Sequence, residues 1–189
     1  SYDRKRNPQN LERRFNSGSI HWNYPRLTCL ARGFMKSLVI MGVSGSGKTT
    51  VGKLLAQKTG GRFLDGDDFH PSENIAKMSS GIPLTDNDRQ GWLETLATII
   101  DEADELTIIA CSALKASYRE ILKEAEFIFL YGSPELLADR INQRSGHYMP
   151  PGLLQSQLET LEVPKDALAL NVAESPSALV NQIMIRLNL

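Results

Sequence analysis

Cysteine is scarce in this sequence, and so is any surplus of charge of one sign. Its two cysteines, Cys29 and Cys111, stand far apart and without metal-type spacing. That excludes a disulfide framework and a zinc site, and leaves both expected as free thiols in a reducing, cytoplasmic setting. The 21 basic and 22 acidic side chains nearly cancel, to a formal net charge of −1, so no whole-chain field draws the protein to nucleic acid. No apolar run approaches the roughly 18 to 20 residues that a bilayer-spanning helix needs, and no membrane span is expected. Internal repeats and low-complexity tracts are absent too. With 41% hydrophobic and 23% charged residues, disordered and fibrous classes are poor fits. What is there is enough chain, 189 residues, for one core of ordinary size.

The charge is unevenly spread. Residues 1–34 hold seven basic side chains, Arg4 to Arg32, against Asp3 and Glu12, a net of +5 that leaves −6 for the rest. This leader has neither helical nor strand periodicity and ends just before the first strong strand pattern. It is expected to be an extension outside the folded unit. The other two readings are an Arg-rich organelle transit segment and a nucleic-acid or membrane-binding arm.

From Met35 onward, short apolar runs alternate with helix-length amphipathic stretches, the pattern of an α/β domain over residues 35–189. Five strands are predicted, at Ser37–Met41, 62–64 leading into Asp65, 106–110, Glu126–Tyr131 and 167–172. Their continuous apolar character suits a parallel sheet covered on both faces. Helices are predicted at about 48–58, 89–103, 115–123, 134–144 and Pro176–Leu187. Prolines 150, 151 and 164 with Gly146 and Gly152 bracket an excursion after the fourth strand. It is expected to be a mobile lid around 144–156 and not core.

Directly after the first strand comes Gly42-Val43-Ser44-Gly45-Ser46-Gly47-Lys48-Thr49, a full match to G-x-x-x-x-G-K-[ST]. Glycines in such a loop turn consecutive N–H groups inward, to hold phosphate oxygens at a helix N-terminus. Lys48 adds a charge that can follow the transferring phosphate, and Thr49 offers a hydroxyl to the accompanying magnesium ion. The loop therefore predicts a nucleoside triphosphate with its magnesium ion, and is silent about what receives the phosphate.

A metal-ordering acid is missing from the end of the third strand, which runs into Cys111-Ser112. The second strand supplies one instead, ending in Asp65-Gly66-Asp67-Asp68-Phe69-His70. In a parallel sheet the carboxyl ends of the strands line the ligand crevice, and residues two apart in an extended segment face one way. Of Asp65 and Asp67, one can order the metal while the other accepts a proton from an attacking hydroxyl. Around the same sheet edge the sequence places His70, Asn74, Lys77, Asp86, Asp88 and Arg89, then Ser112, Lys115, Tyr118 and Arg119. Such groups suit a small hydroxyl-rich anion, with Arg for a carboxylate and His and Asn for hydroxyls. Arg140, Arg144 and His147 follow the fourth strand, where positive groups on a flap would close over the triphosphate and exclude water.

Together these segments resemble the gluconokinase family. The resemblance rests on Gly42 to Thr49, Asp65-Gly66-Asp67-x-x-His70-Pro71, Asn74 to Leu93, Cys111-Ser112-Ala113-Leu114-Lys115-x-x-Tyr118-Arg119 and Gly146-His147-Tyr148-Met149. It implies a P-loop kinase fold, usually dimeric, that transfers phosphate from ATP to the terminal hydroxyl of D-gluconate. By the resemblance, ATP and magnesium go to the loop with Thr49 and Asp65, and nucleotide contact to Arg140. Gluconate goes to Asp67, His70, Arg89, Lys115 and His147, and Lys48, Asp67 and Arg144 are the catalytic set. Asp67 as base draws on the similar Asp-x-Asp of shikimate kinases. The basic leader lies outside the family pattern, and the stretch at 122–125 is short. Adenylylsulfate kinases share the loop and the Asp-Gly-Asp segment but carry an Arg where this chain has His70, and nucleoside monophosphate kinases use a different Arg set. A nucleotide-binding protein with no acceptor, or an RNA-associated one, is the reading of a different class.

Overall fold

Period-two alternation along β1 (Ser37–Met41) divides the interior into two cores. Leu38 and Ile40 point to one, with Val51, Leu55, Ile128, Leu179 and Ile183. Val39 and Met41 point to the other, with Trp92, Leu93, Leu96, Ile109, Tyr118 and Phe129. A strand buried on both faces is apolar throughout, which is why SLVIM shows no polar alternation. The computed structural model describes residues 37–143 and 152–189. Within them β1 is joined by β2 (Arg62–Asp65), β3 (Thr107–Ala110), β4 (Glu126–Tyr131) and β5 (Leu168–Asn171). All pairings are parallel, and the sheet order is β2-β3-β1-β4-β5.

Seven helices are described: α1 (Lys48–Thr59), α2 (Ser72–Ser79), α3 (Asp86–Asp101), α4 (Ala116–Ile121), α5 (Pro134–Asn142), α6 (Leu153–Thr160) and α7 (Pro176–Leu187). A short 3-10 turn, Gly66–Phe69, leads out of β2. α1 and α7 cover one face of the sheet, while α3 and α4 cover the other. Every strand thus delivers its carboxyl end to the same edge, where the ligand crevice of such a sheet lies. Among the described residues no helix is long and apolar enough to cross a membrane.

The structure moves three expectations. α3 begins at Asp86, a turn before the predicted start at 89, because Thr85 and Asp88 form a reciprocal capping box that stabilises the helix start by about 1 kcal/mol. α2 was not expected as a helix; it follows Pro71, whose extended conformation sets the entry. The predicted excursion is helical from Leu153 on. α6 buries Leu158 and packs Leu154 and Leu161 against the core, so this part does contribute to the interior. The rest of the predicted lid, with the leader, lies outside the described residues.

Candidate active site

The loop between β1 and α1 closes under tight steric limits. A Cβ on Gly42 (φ 145°) would lie 2.5 Å from the carbonyl oxygen of Leu130, and one on Gly45 (φ 82°) 2.7 Å from that of Leu137. Only glycine fits either position. Gly47 caps α1 in the left-handed region, so the loop runs straight into a helix N-terminus whose N–H groups have no partner within the helix. Ser46 Oγ is buried with no hydrogen-bond partner among the described residues. A polar cradle with an orphaned hydroxyl fits a bound anion better than an empty turn. Lys48 Nζ donates to the carbonyl of Val43, 3.2 Å away, folding the ammonium back over the loop.

Beside it stand the two acids. Asp65 uses both carboxylate oxygens: Oδ2 accepts from the hydroxyl of Thr49 at 3.0 Å, and Oδ1 from the N–H of Asp67 at 3.3 Å. A hydroxyl and a carboxylate in contact are donors suited to a hard cation that keeps most of its waters. Among the described residues no cluster of three or more His, Cys, Asp or Glu side chains could hold a metal unaided, so the phosphates and water would complete the shell. Asp67 has the opposite surroundings. It sits at the cleft mouth, yet crowding of its carboxyl raises its pKa above the usual 3.8, first by desolvation and then through Asp65; Lys48 and His70 pull the other way. A carboxylate held above its usual value is a better proton acceptor. Asp65 bonds to Thr49 and to the N–H of Asp67, and Lys48 acts electrostatically on Asp67, so the loop and the two acids are neighbours. Burial pushes the Cys111 thiol up to about 12, which excludes it as a nucleophile near neutrality.

His70 is buried on one side of this cleft. Its ring stacks on Trp92, with centroids 4.1 Å apart, and Trp92 Nε1 donates to the carbonyl of Gly66 at 2.7 Å. Asn74 Nδ2 donates to the carbonyl of Asp88 at 2.7 Å and faces His70 Nδ1 at 3.3 Å. An amide NH2 can only donate, so Nδ1 is the acceptor and the proton of the neutral ring sits on Nε2. Desolvation lowers the His70 pKa below 6.5; Asp67 opposes this and Arg89 reinforces it. The ring is thus a neutral donor aimed by its neighbours, and Asn74 orients it. Nitrogen-15 NMR across a pH titration is expected to show His70 with Nδ1 unprotonated and a midpoint below 6.5. A midpoint above that value, or a proton on Nδ1, would contradict this assignment.

Further along the edge, Lys115 Nζ lies 2.7 and 2.6 Å from the two oxygens of Asp86, and Tyr118 Oη donates to the same carboxylate. The Arg89 guanidinium lies 5.9 Å from the Tyr118 ring centre and donates to the carbonyls of Leu84 and Thr85. Arg89 and Lys115 therefore come together around Tyr118. Asp88 serves the α3 cap and an ion pair with Lys77 at 2.6 Å. Arg140 belongs to α5 and is not carried on a flap: its guanidinium donates to the carbonyl of Val172, and it lines a cavity of about 330 Å³ with Gly45, Gly47, Glu174 and Pro176. Arg144 and His147 lie outside the described residues. Trp92, Gly66 and Asn74 support His70 through contacts the sequence does not announce; the Trp92 hydrogen bond spans 26 positions.

This arrangement can be compared with known proteins. The shikimate kinase family model matches residues 44–175. The chain is 43% identical over 171 residues to a probable gluconokinase of Xenopus tropicalis, with 77% of this chain and 90% of that protein covered. It is 46% identical to a crystal structure of a gluconokinase from Sinorhizobium meliloti, with a TM-score of 0.76 over 83% of this chain and 94% of that one. The chain belongs to the gluconokinase family. Its sheet and phosphate loop are those of a P-loop kinase. An APS kinase of Mycobacterium tuberculosis is 19% identical with a TM-score of 0.61, covering 82% of this chain and 98% of that one. That likeness shows the fold alone, and nothing in it favours the adenylylsulfate reading over the gluconokinase family.

Proposed function

We propose that the protein phosphorylates D-gluconate at its terminal hydroxyl with ATP, giving 6-phospho-D-gluconate and ADP. Membership of the gluconokinase family supports the reaction. The single structural observation that supports it is the bridge made by Asp65, which bonds to Thr49 next to Lys48 and to the N–H of Asp67. In this reading the loop amides and Lys48 hold the terminal phosphates, and Asp67 accepts the proton of the attacking hydroxyl. The hydroxyl oxygen forms a bond to the γ-phosphorus as the bond to the ADP oxygen breaks. Magnesium, held by Thr49 and Asp65, would neutralise charge on the phosphates.

Polarity along the cleft supports an acid with a chain of hydroxyls. In this reading Asp67 would take the reacting hydroxyl, His70 with its N–H donor the hydroxyls beyond it, and Arg89 with Lys115 the carboxylate. Arg140 serves the nucleoside side of the loop; Arg144 and His147 would add positive charge over the phosphates. The functional unit is proposed as a homodimer.

With ATP and magnesium present, gluconate is expected to raise ADP formation many-fold, in a coupled assay run beside other aldonic acids and nucleoside monophosphates. A rate unchanged by gluconate would remove this reading. Stimulation by a nucleoside monophosphate alone would replace it with the nucleotide kinase one.

A further inference from the structure

α6 reaches the phosphate loop through one side chain. Gln157 Oε1 accepts a hydrogen bond from the backbone N–H of Ser44 at 2.7 Å, across 113 positions of sequence. Ser44 is the residue just before Gly45, in the part of the loop where glycines leave the backbone its widest freedom. The same segment is fixed at its other end. Glu162 Oε2 accepts from the N–H of Ala116 at 2.7 Å, and the N–H of Glu162 donates to the carbonyl of Leu114 at 2.9 Å. These two contacts bracket Lys115, on the acceptor side of the cleft. Between the anchors, Leu158 is buried and Leu161 packs against both cores. Residues 157–162 thus form a strut with one foot on the phosphate loop and the other on the loop carrying Lys115.

We propose that Gln157 is a positioning residue for phosphoryl transfer: by holding the Ser44 peptide it fixes the phosphate loop at the distance from the acceptor loop that the reaction needs. A backbone amide bond of this kind has no energetic need of a glutamine, since water could satisfy an N–H that is only part-buried. A side chain anchored on the rigid half of the strut does what water cannot, which is to set an orientation. Misplacement by about 1 Å can cost on the order of a hundredfold in rate, so a tether at Ser44, added to the backbone bonds from Gly42 to Ser112 and from Ser46 to Val43, acts on turnover before it acts on binding. The inference rests on the kinase reading above and deepens it.

The test compares Gln157→Ala and Gln157→Glu with the parent full-length chain. Glutamate keeps an acceptor for the Ser44 N–H; alanine does not. Two readouts are taken: hydrogen exchange of the Ser44 amide without ligands, and steady-state kinetics with ATP-Mg and gluconate. The Ser44 amide is expected to be protected in the parent and in Gln157→Glu, and to exchange freely in Gln157→Ala. kcat is expected to fall about tenfold in Gln157→Ala, with KM for ATP within about twofold. Gln157→Glu should recover most of kcat, with a raised KM for ATP from the added negative charge. Unchanged kcat in Gln157→Ala would overturn the proposal, and so would Gln157→Glu losing as much kcat as the alanine variant. If Gln157→Ala does not fold, the glutamate variant and the exchange protection of the parent still decide. A parent chain inactive toward gluconate would remove the kinase reading, while an unprotected Ser44 amide in that same parent would remove the strut.

Discussion

Lys48→Ala is expected to lower kcat about a thousandfold, with the thermal unfolding midpoint close to that of the parent. The ammonium sits over the phosphate loop, bonded to the Val43 carbonyl. It is also felt at Asp67 as a charge that lowers the acid's pKa. In the proposed reaction its removal takes a full positive charge from the place where the transferring phosphoryl would develop negative charge. The core supplies no comparable cost, because the side chain lies outside both apolar clusters. Steady-state kinetics beside a thermal melt separates the two effects. A loss below tenfold would mean that the loop amides carry the charge stabilisation unaided.

Asp67→Asn comes next, with an expected fall in kcat of about 10² to 10⁴ and little change in KM for ATP. Asparagine retains the backbone N–H that bonds to Asp65 Oδ1, so the turn should keep its shape while the proton acceptor is lost. The parent protein carries a second signature of this role. A base must be ionised to work, and the Asp67 pKa is raised above 3.8, chiefly by desolvation. Activity should therefore be full at higher pH and fall as pH drops through a midpoint above the ordinary carboxylate value; the Asn variant should lack that limb. Near-normal turnover in Asp67→Asn would pass the role to Asp65 or to no residue.

Much of the frame could be read from local pattern. The strands at Ser37–Met41 and Glu126–Tyr131 have the predicted ends, because a strand buried on both faces is apolar along its whole length. The phosphate loop was legible because its glycines, lysine and threonine lie in one unbroken run. The α3 start was misplaced although Thr85 and Asp88 carried a signal: an acid three residues after a hydroxyl residue. α6 was missed because the prolines and glycines before it drew attention from the spacing of Leu154, Leu158 and Leu161. The support of His70 by Trp92 and Asn74, and the grip of Gln157 on Ser44, were out of reach for a different reason. Each is a hydrogen bond or stack between elements brought together by the sheet, with no periodicity to betray it. His70 is read from the sequence as a partner for hydroxyls, and its geometry adds a packing role: it is buried against Trp92 and held as a donor.

The two bonds of Asp65 join two parts of the cleft. One oxygen answers to Thr49 on the nucleotide half and the other to Asp67 on the acceptor half. A single carboxylate group therefore ties the helix that follows the phosphate loop to the turn that carries Asp67, and its loss would release both at once. A ligand that shifted this carboxylate from one half would be felt at the other, and any such coupling would be equal in both directions.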